Sequence, residues 1–399
     1  MIAEKKHAII QSYLGQYIAV RCQLPQQTRF RLAIIDGFAG GGRYDCGSPG
    51  SPLIFVQVLA QTLAGINSAR SLYGIAPIHI ECLLILNDSS SDAIEMLRVE
   101  CGEELERARA AVPELHIQAH YLIGSFARSL EGIQTLLALG AYTNIIYNLD
   151  QYGYSGVDLA TITALMQASR STEIFFTFAI QAMLSFLSPK GAEAANAQLR
   201  RLGLMAEDIA DPEFVLSKRQ WLGAAERIIF QALAGCAPYV SPFSINNPNG
   251  WRYWLIHFAN SYRARQVYND VLHANSGSQA HVGRAGLNML GYDPRDDDSM
   301  LYLFDTAARA AAKEQLLVDV PKIISDDGDA VRVIDFYERI YNVTPAHSDD
   351  IHDALIMSGD VRIVTKNGGE RRKGSSISPE DVVKLKNQRT FFPSFLKRT

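Results

Sequence analysis

The chain has 399 residues, 48% hydrophobic and 20% charged, enough for two or three domains around a sizeable core. A net charge of -4 excludes a uniformly basic coat for nucleic acid but leaves room for a local basic patch. Five cysteines (Cys22, Cys46, Cys82, Cys101, Cys236) lie far apart with no C-x-x-C spacing, which argues against a zinc site, an iron–sulfur site or a disulfide framework and fits reduced thiols.

The first residues, Met1 to His7, lack the apolar core and small-residue cleavage site of a signal peptide. The most apolar window, Ile174 to Leu187, is interrupted by Thr177, Gln181 and Ser185 and is shorter than the roughly 18 residues a spanning helix needs. The expectation is a soluble cytoplasmic protein with no membrane contact.

In chain order, residues 4–22 show helical spacing of Ile10, Tyr13, Leu14, Tyr17 and Ile18. Phe30 to Ile35 reads as a buried strand. Ser51-Pro52 opens a helix to about Leu63. Ile80 to Leu86 reads as a second strand, followed by a helix capped by one of Ser89 to Ser91. Leu115 to Ile123 is a third strand, Phe126 to Leu139 a helix and Asn144 to Leu149 a fourth strand. Val157 to Ser169 is helical and Glu173 to Phe178 a fifth strand. Strands alternating with helices predict an α/β fold, a doubly wound parallel sheet with right-handed crossovers.

Pro189 to about Gly235 turns helical and more polar, as an insertion. Trp251 to Phe258 reads as a sixth strand, Ser261 to His273 as a helix, Asn275 to Asp298 as a surface loop and Met300 to Phe304 as a further strand. Ala330 to Ile340 and Ser348 to Met357 are predicted helices. Val361 to Thr365, the turn Asn367-Gly368-Gly369 and the return Glu370 to Lys373 predict a hairpin. Helix, helix, hairpin is the outline of a winged helix. From Val361 to Thr399 there are ten Lys/Arg against three Asp/Glu. The predicted domains are 1–188, the first part of a Rossmann-like domain; 189–249, a helical insertion; 250–320, the remainder of the Rossmann-like domain; and 325–399, a basic winged-helix-like domain.

Chemistry concentrates at the strand ends. The first strand runs into Asp36-Gly37-Phe38-Ala39-Gly40-Gly41-Gly42, a D-x-F-x-G-x-G pattern at the place where doubly wound folds bind nucleotide-like cofactors. Glycine lets a ligand approach the backbone and tolerates positive φ. The residues after Gly42 are Arg43-Tyr44, so the G-K-[ST] of a P-loop is missing. In the methyltransferase version of this layout the loop packs against the methionine part of S-adenosylmethionine, and an acidic residue such as Asp36 handles its amino group directly or through water. The alternative is a plain tight turn. Asn87 and Asp88, at the end of the second strand, are candidates for the ribose hydroxyls, with Asp88 alternatively part of a helix cap. Ser125, after the third strand, is the candidate for the adenine edge.

Asp150-Gln151-Tyr152-Gly153-Tyr154, after the fourth strand, resembles the D-P-P-Y box of amino-methylating enzymes without its prolines. Asp150 would bond the target amine, with Tyr152 stacking on a flat substrate and Tyr154 as a second wall, so that catalysis is largely positioning. A polar turn with a half-buried aromatic is the alternative. Lys366, Arg371, Arg372 and Lys373 on the C-terminal hairpin could lie on nucleic-acid phosphates, or form a solvated charged face. His257 and His273 read as ordinary core or surface histidines.

The chain resembles the three-Cys-motif partner proteins, a bacterial family often encoded beside a radical-SAM-like protein with three cysteines. The resemblance rests on Lys5-Lys6-His7, on Ile35 to Tyr44, on Gly50-Ser51-Pro52-Leu53-Ile54, on Asp150 to Gly156 and on Tyr253-Trp254-Leu255-Ile256. It covers roughly residues 4–275. Gly41 stands where that family usually has Pro, Gln151 and Tyr152 where it has Pro-Phe, Asn87 near a usual Glu and Ser125 near a usual Asp. The resemblance implies a Rossmann-type, methyltransferase-like fold that binds S-adenosylmethionine. Two functions remain open. One is a methyltransferase acting on or near DNA or RNA. The other is a non-catalytic nucleic-acid-binding or scaffold subunit for a partner such as the three-cysteine protein, in a role such as phage defence.

Overall fold

The structure, a computed structural model, describes residues 2–151, 156–179, 230–245, 253–283 and 300–386. The chain divides into two compact units. The first comprises Met1–Val282 with Asp293–Phe304, and the second Gly283–Tyr292 with Asp305–Thr399.

The first unit is α/β, with a largely parallel central sheet. Its elements up to the fifth strand are α1 (Ile2–Arg21), β1 (Arg29–Asp36), α2 (Ser51–Leu72), β2 (His79–Asp88), α3 (Ser91–Ala111), β3 (Leu115–Ile123), α4 (Phe126–Leu139), β4 (Asn144–Leu149), α5 (Leu159–Ala168) and β5 (Ser171–Phe178). Then come β6 (Tyr239–Ile245), β7 (Trp254–Ala259), α6 (Tyr262–Ala274), β8 (Gln279–Gly283) and β9 (Met300–Tyr302). The sheet order is β3-β2-β1-β4-β5-β7-β6-β8-β9. β3, β2, β1, β4 and β5 are mutually parallel; β7 runs antiparallel to both β5 and β6.

Local sequence explains these elements. β1 is buried from Leu32 to Asp36, as expected of a parallel strand covered on both faces. β3, at the edge, mixes buried, half-buried and exposed positions. Ser90 caps α3 by accepting from the Ala93 amide at 3.2 Å, and Asp158 caps α5 by accepting from the Thr161 amide at 2.7 Å. Among the described residues α2 is the one helix long and apolar enough to cross a membrane, yet its first half, from Pro52 to Leu59, is largely buried.

Some expectations change. β6 falls within 189–249, so the end of that range is a sheet strand and not part of a helical insertion. Its sequence contains Pro242, which argues against a central strand; β7 and β8 pair with it nonetheless. Residues 230–234 are helical, and the rest of the insertion up to residue 229 lies outside the described residues. β8 forms inside the segment read as a surface loop, and β9 pairs beside it.

The second unit contains α7 (Thr306–Asp326), β10 (Ala330–Arg332), α8 (Val333–Ile340), α9 (Ser348–Met357), β11 (Val361–Val364) and β12 (Val382–Leu385). Its sheet is antiparallel, in the order β10-β12-β11. α7 starts at a cap by Asp305, which accepts from the Ala308 amide at 2.8 Å. The predicted boundary at 320–325 therefore falls inside a helix. Pro321 within α7 reads as a breaker in sequence. The predicted helix from Ala330 is a short strand followed by α8. The hairpin forms over a short span: around the Val364–Glu370 bridge the Thr365 amide donates to the Gly369 carbonyl (2.7 Å) and the Arg371 amide to that of Ile363 (2.9 Å), while β11 also pairs with β12. Asp350, 1% exposed, joins α9 to α7 by accepting from Arg309 Nε at 2.6 Å and Nη2 at 2.8 Å.

One buried cation staples the start of the first unit. Arg70, at the end of α2, is 6% exposed and donates to the carbonyls of Ala76 (2.7 Å), Leu24 (3.2 Å), Pro25 (2.8 Å) and Gln27 (2.8 Å). Removing it strands four carbonyls inside the fold. Arg70→Met is expected to destabilise the protein by about 3 kcal/mol in urea unfolding, with Arg70→Lys recovering only part of it. A Met variant as stable as the wild type would contradict this role.

Candidate functional site

Between β1 and β4 the strand order reverses, which opens a crevice outside the carboxyl ends of the strands. The loops after β1, β2, β3 and β4 meet at this edge. Backbone bonds lace them together. The Gly37 amide donates to the Asn148 carbonyl (3.0 Å), the Ala39 amide to that of Asn87 (2.9 Å), the Gly50 amide to that of Gly42 (2.7 Å) and the Gly124 amide to that of Asp88 (2.9 Å).

Asp36 sits at the centre, with no solvent exposure. Its Oδ2 accepts from Ser51 Oγ at 2.6 Å and from Asn148 Nδ2 at 3.2 Å, and its Oδ1 from the Phe38 amide at 3.3 Å. Burial raises its pKa from 3.8 to about 6, against the opposing pull of these three donors. A carboxylate so enclosed shapes the loop, with its oxygens turned to Ser51, Asn148 and the Phe38 amide.

The glycine loop has two sides. Gly40 (φ 63°) and Gly42 (φ 94°) both occupy the left-handed region that favours glycine. A Cβ on Gly42 would stand 3.1 Å from Glu100 Cβ and 3.2 Å from Leu97 Cδ1, so this side packs on α3. A Cβ on Gly40 would meet nothing within 4 Å. Asp88 holds that open side: its Oδ2 accepts from the Gly40 amide at 2.9 Å, and its Oδ1 from the Ser90 amide at 2.9 Å.

Asn87 and Asp88 separate here. Asn87 is 1% exposed and spends its Nδ2 on the carbonyls of Gly37 (3.0 Å) and Gly124 (3.2 Å). It is a strut between two loops, whereas Asp88 is half-buried. Ser125 precedes α4 as its N-cap, exposed, with no side-chain cap bond. Phe38 is half-buried, its ring 6.1 Å from that of Phe126, and a Cβ on Gly156 would lie 2.9 Å from Phe38 Cζ. Phe38 is thus a packed wall beside the loop that follows β4.

At the end of β4, Asp150 forms an ion pair with Lys6, whose side chain is 8% exposed. His7, next to it, faces Tyr44 with ring centroids 5.7 Å apart. Burial, with a further push from Lys6, lowers the His7 pKa to about 4, so the ring is neutral at physiological pH. Gln151 is buried, and its Oε1 accepts from the amides of Gly156 (2.8 Å) and Val157 (3.1 Å). Tyr152 and Tyr154 lie outside the described residues. Ser51, which reads in sequence as the cap of α2, is instead its first residue after the N-cap Gly50 and turns its hydroxyl to Asp36; Lys6 and Asn148 carry no site signal of their own in sequence. The available signal for Lys6 was its spacing of four and seven residues from Ile10 and Tyr13, which puts it on the buried face of α1.

In the second unit, Lys366, Arg372 and Lys373 are exposed. Arg371 is not free for phosphate: its Nε and Nη2 donate to Asp381 Oδ2 (2.8 Å) and Oδ1 (3.2 Å), which shapes the segment between β11 and β12. His257 is a core residue, 1% exposed, with Nε2 3.1 Å from Glu173 Oε2.

The Asp36 shift carries a pH dependence. Unfolded, the group ionises near 3.8; folded, near 6. Between these values the native state holds a proton that the unfolded state has released. Stability from this group is therefore greatest below pH 4 and falls as pH rises to about 6. Relative to Asp36→Asn, the wild type is expected to lose on the order of 3 kcal/mol of unfolding free energy between those limits. Parallel urea-unfolding profiles of the two proteins would refute it.

No family model and no curated protein matches the chain. Among solved structures it is similar to protein LPL1258 from Legionella pneumophila str. Philadelphia 1, of the family DUF519. The identity is 9% over 65% of this chain and 85% of that one, with a TM-score of 0.34, a likeness too slight to carry an argument.

Proposed function

We propose that the chain is an S-adenosylmethionine-dependent methyltransferase, similar to the three-Cys-motif partner proteins, that acts on or near nucleic acid. The observation that carries this reading is the glycine loop at the switch point. Asp88 fixes its Gly40 amide, and the space beside the Gly40 Cα is open. The strand arrangement supports it, since β7 inserted antiparallel between β5 and β6 is what Rossmann-type methyltransferases have in place of a purely parallel sheet.

The residues fit the group. A carboxylate has about four acceptor positions. Asp88 uses two on backbone amides, which leaves two for the ribose hydroxyls. The Ser125 hydroxyl, with no cap bond to make, is free for an adenine edge. The cofactor supplies an electrophilic methyl group on a sulfonium. Asp150, at the end of β4, would accept a hydrogen bond from the target amine and so aim its lone pair. Lys6 pairs with this carboxylate and holds its orientation. Tyr152 and Tyr154 would stack on the acceptor. Such a site works by positioning.

In the second unit, the element order α7-β10-α8-α9-β11-β12 with sheet order β10-β12-β11 supports a winged-helix-like reading. Its nucleic-acid contacts would come from Lys366, Arg372 and Lys373. One observation favours the alternative of a non-catalytic scaffold for a partner such as the three-cysteine protein. Asn87, where the similar family usually has Glu, is consumed as a strut.

Calorimetric titration with S-adenosylmethionine and its demethylated product discriminates. Binding is expected, with Gly40→Val at least ~10-fold weaker because the left-handed backbone and the ligand space are both lost. No heat at high micromolar ligand would remove the enzyme reading.

A further inference from the structure

We propose that the outer face of the β11–β12 ladder, through Arg362 and Lys384, extends the wing cations into one strip that binds the phosphate backbone of nucleic acid. The inference rests on the nucleic-acid reading above and adds the surface and the mode of contact.

Alternation along the strands separates two faces. Val361 and Ile363 on β11 and Val383 on β12 are 0–1% exposed and form the core face. Arg362 and Lys384 therefore occupy the opposite face, and they are registered partners across the ladder. Like charges directly opposite each other weaken a sheet. The unit tolerates this pair although other cations in it are neutralised: Arg309 by Asp350, Arg332 by Asp335, Arg339 by Asp327 and Arg371 by Asp381. Arg362, Lys366, Arg372, Lys373 and Lys384 make no ion pair among the described residues. A bridging anion would relieve the repulsion.

The occupant follows from what surrounds the strip. Glu370 pairs with Val364 beside β11, and Asp329 and Asp360 precede β10 and β11, so the fit is to a backbone that presents its phosphates along the line of the cations. Helix α9 exposes Asp349 and Asp353, which would repel phosphates if this helix entered a groove. Contact through the strip alone reads the backbone and not base edges, so binding is insensitive to sequence and strongly salt-dependent.

The test uses the full chain and fluorescein-labelled DNA and RNA oligonucleotides of about 20 nucleotides and unrelated sequence, followed by anisotropy over a salt series. Arg362→Gln/Lys384→Gln is expected to bind at least ~10-fold more weakly at low salt and to flatten the log–log salt slope by about 1.5–2. Its melting temperature should be equal or higher, because two opposed charges are gone. Lys366→Ala/Arg372→Ala/Lys373→Ala, which leaves the ladder untouched, should shift affinity and slope in the same direction. Unchanged affinity and slope in the folded variants would overturn the proposal. So would a wild-type chain that binds phosphatidylglycerol vesicles but no oligonucleotide, or neither. S-Adenosylmethionine titration of the same preparations keeps the two readings apart, since loss of oligonucleotide binding with cofactor binding intact concerns the strip alone.

Discussion

A single carboxylate organises the carboxyl edge of the sheet. Asp36 brings together the end of β1, the Phe38 amide of the glycine loop, the first residue of α2 through Ser51 and the end of β4 through Asn148. Burial disfavours its charge, as the raised pKa of about 6 records. Three donors offset part of that cost and leave few alternative arrangements for the groups that make them. The loop beyond Asp36 therefore has its path set before any ligand arrives. Asn87 and Asp88 complete the bracing from β2, one through carbonyls and the other through the Gly40 amide.

The second constraint is α1. Its Tyr13 hydroxyl donates to Glu173 on β5, its Arg21 bonds Ser171 and its Lys6 pairs with Asp150 at the end of β4. Glu173 also faces His257 from β7, and the rings of Phe175, His257 and Tyr268 close around Tyr13 with centroids 4.9–5.9 Å away. Burial lowers the His257 pKa, against the opposing pull of the Glu173 hydrogen bond. The helix is thus anchored along its length, and one consequence reaches the candidate site: the acceptor-side carboxylate Asp150 has its orientation set by a residue 144 positions earlier in the chain.

Much of the first unit was legible in the sequence. β3, α4 and β4 have the expected bounds, as does α9 in the second unit, because unbroken periodic runs stood between clear turn signals. β6 and α7 were missed for a common reason: each contains a proline, Pro242 and Pro321, that local rules treat as a break. Packing against β7 and β8, and of Leu316, Val320 and Ile324 into a buried core, outweighs that local preference. The tight hairpin was legible from Asn367-Gly368, and its return bonds β11 through Gly369 and Arg371. What lay beyond a local pattern is the second partner of β11, Val382–Leu385.

At the candidate site the division is the same. Alternating strands and helices, the glycine loop after the first strand and the carboxylates after the second and fourth could be read as lying on one edge of the sheet, because main-chain preferences and hydrophobic period act over a few residues. Which polar side chains are spent on structure and which stay available was decided by tertiary contact. Asn87 and Asp88 are neighbours in sequence, yet one is sealed between loops and the other borders open space. Arg371 and Arg372 are likewise adjacent, and only Arg371 meets an aspartate. Hydrogen-bond partners far along the chain make that choice, and no local pattern encodes where they arrive.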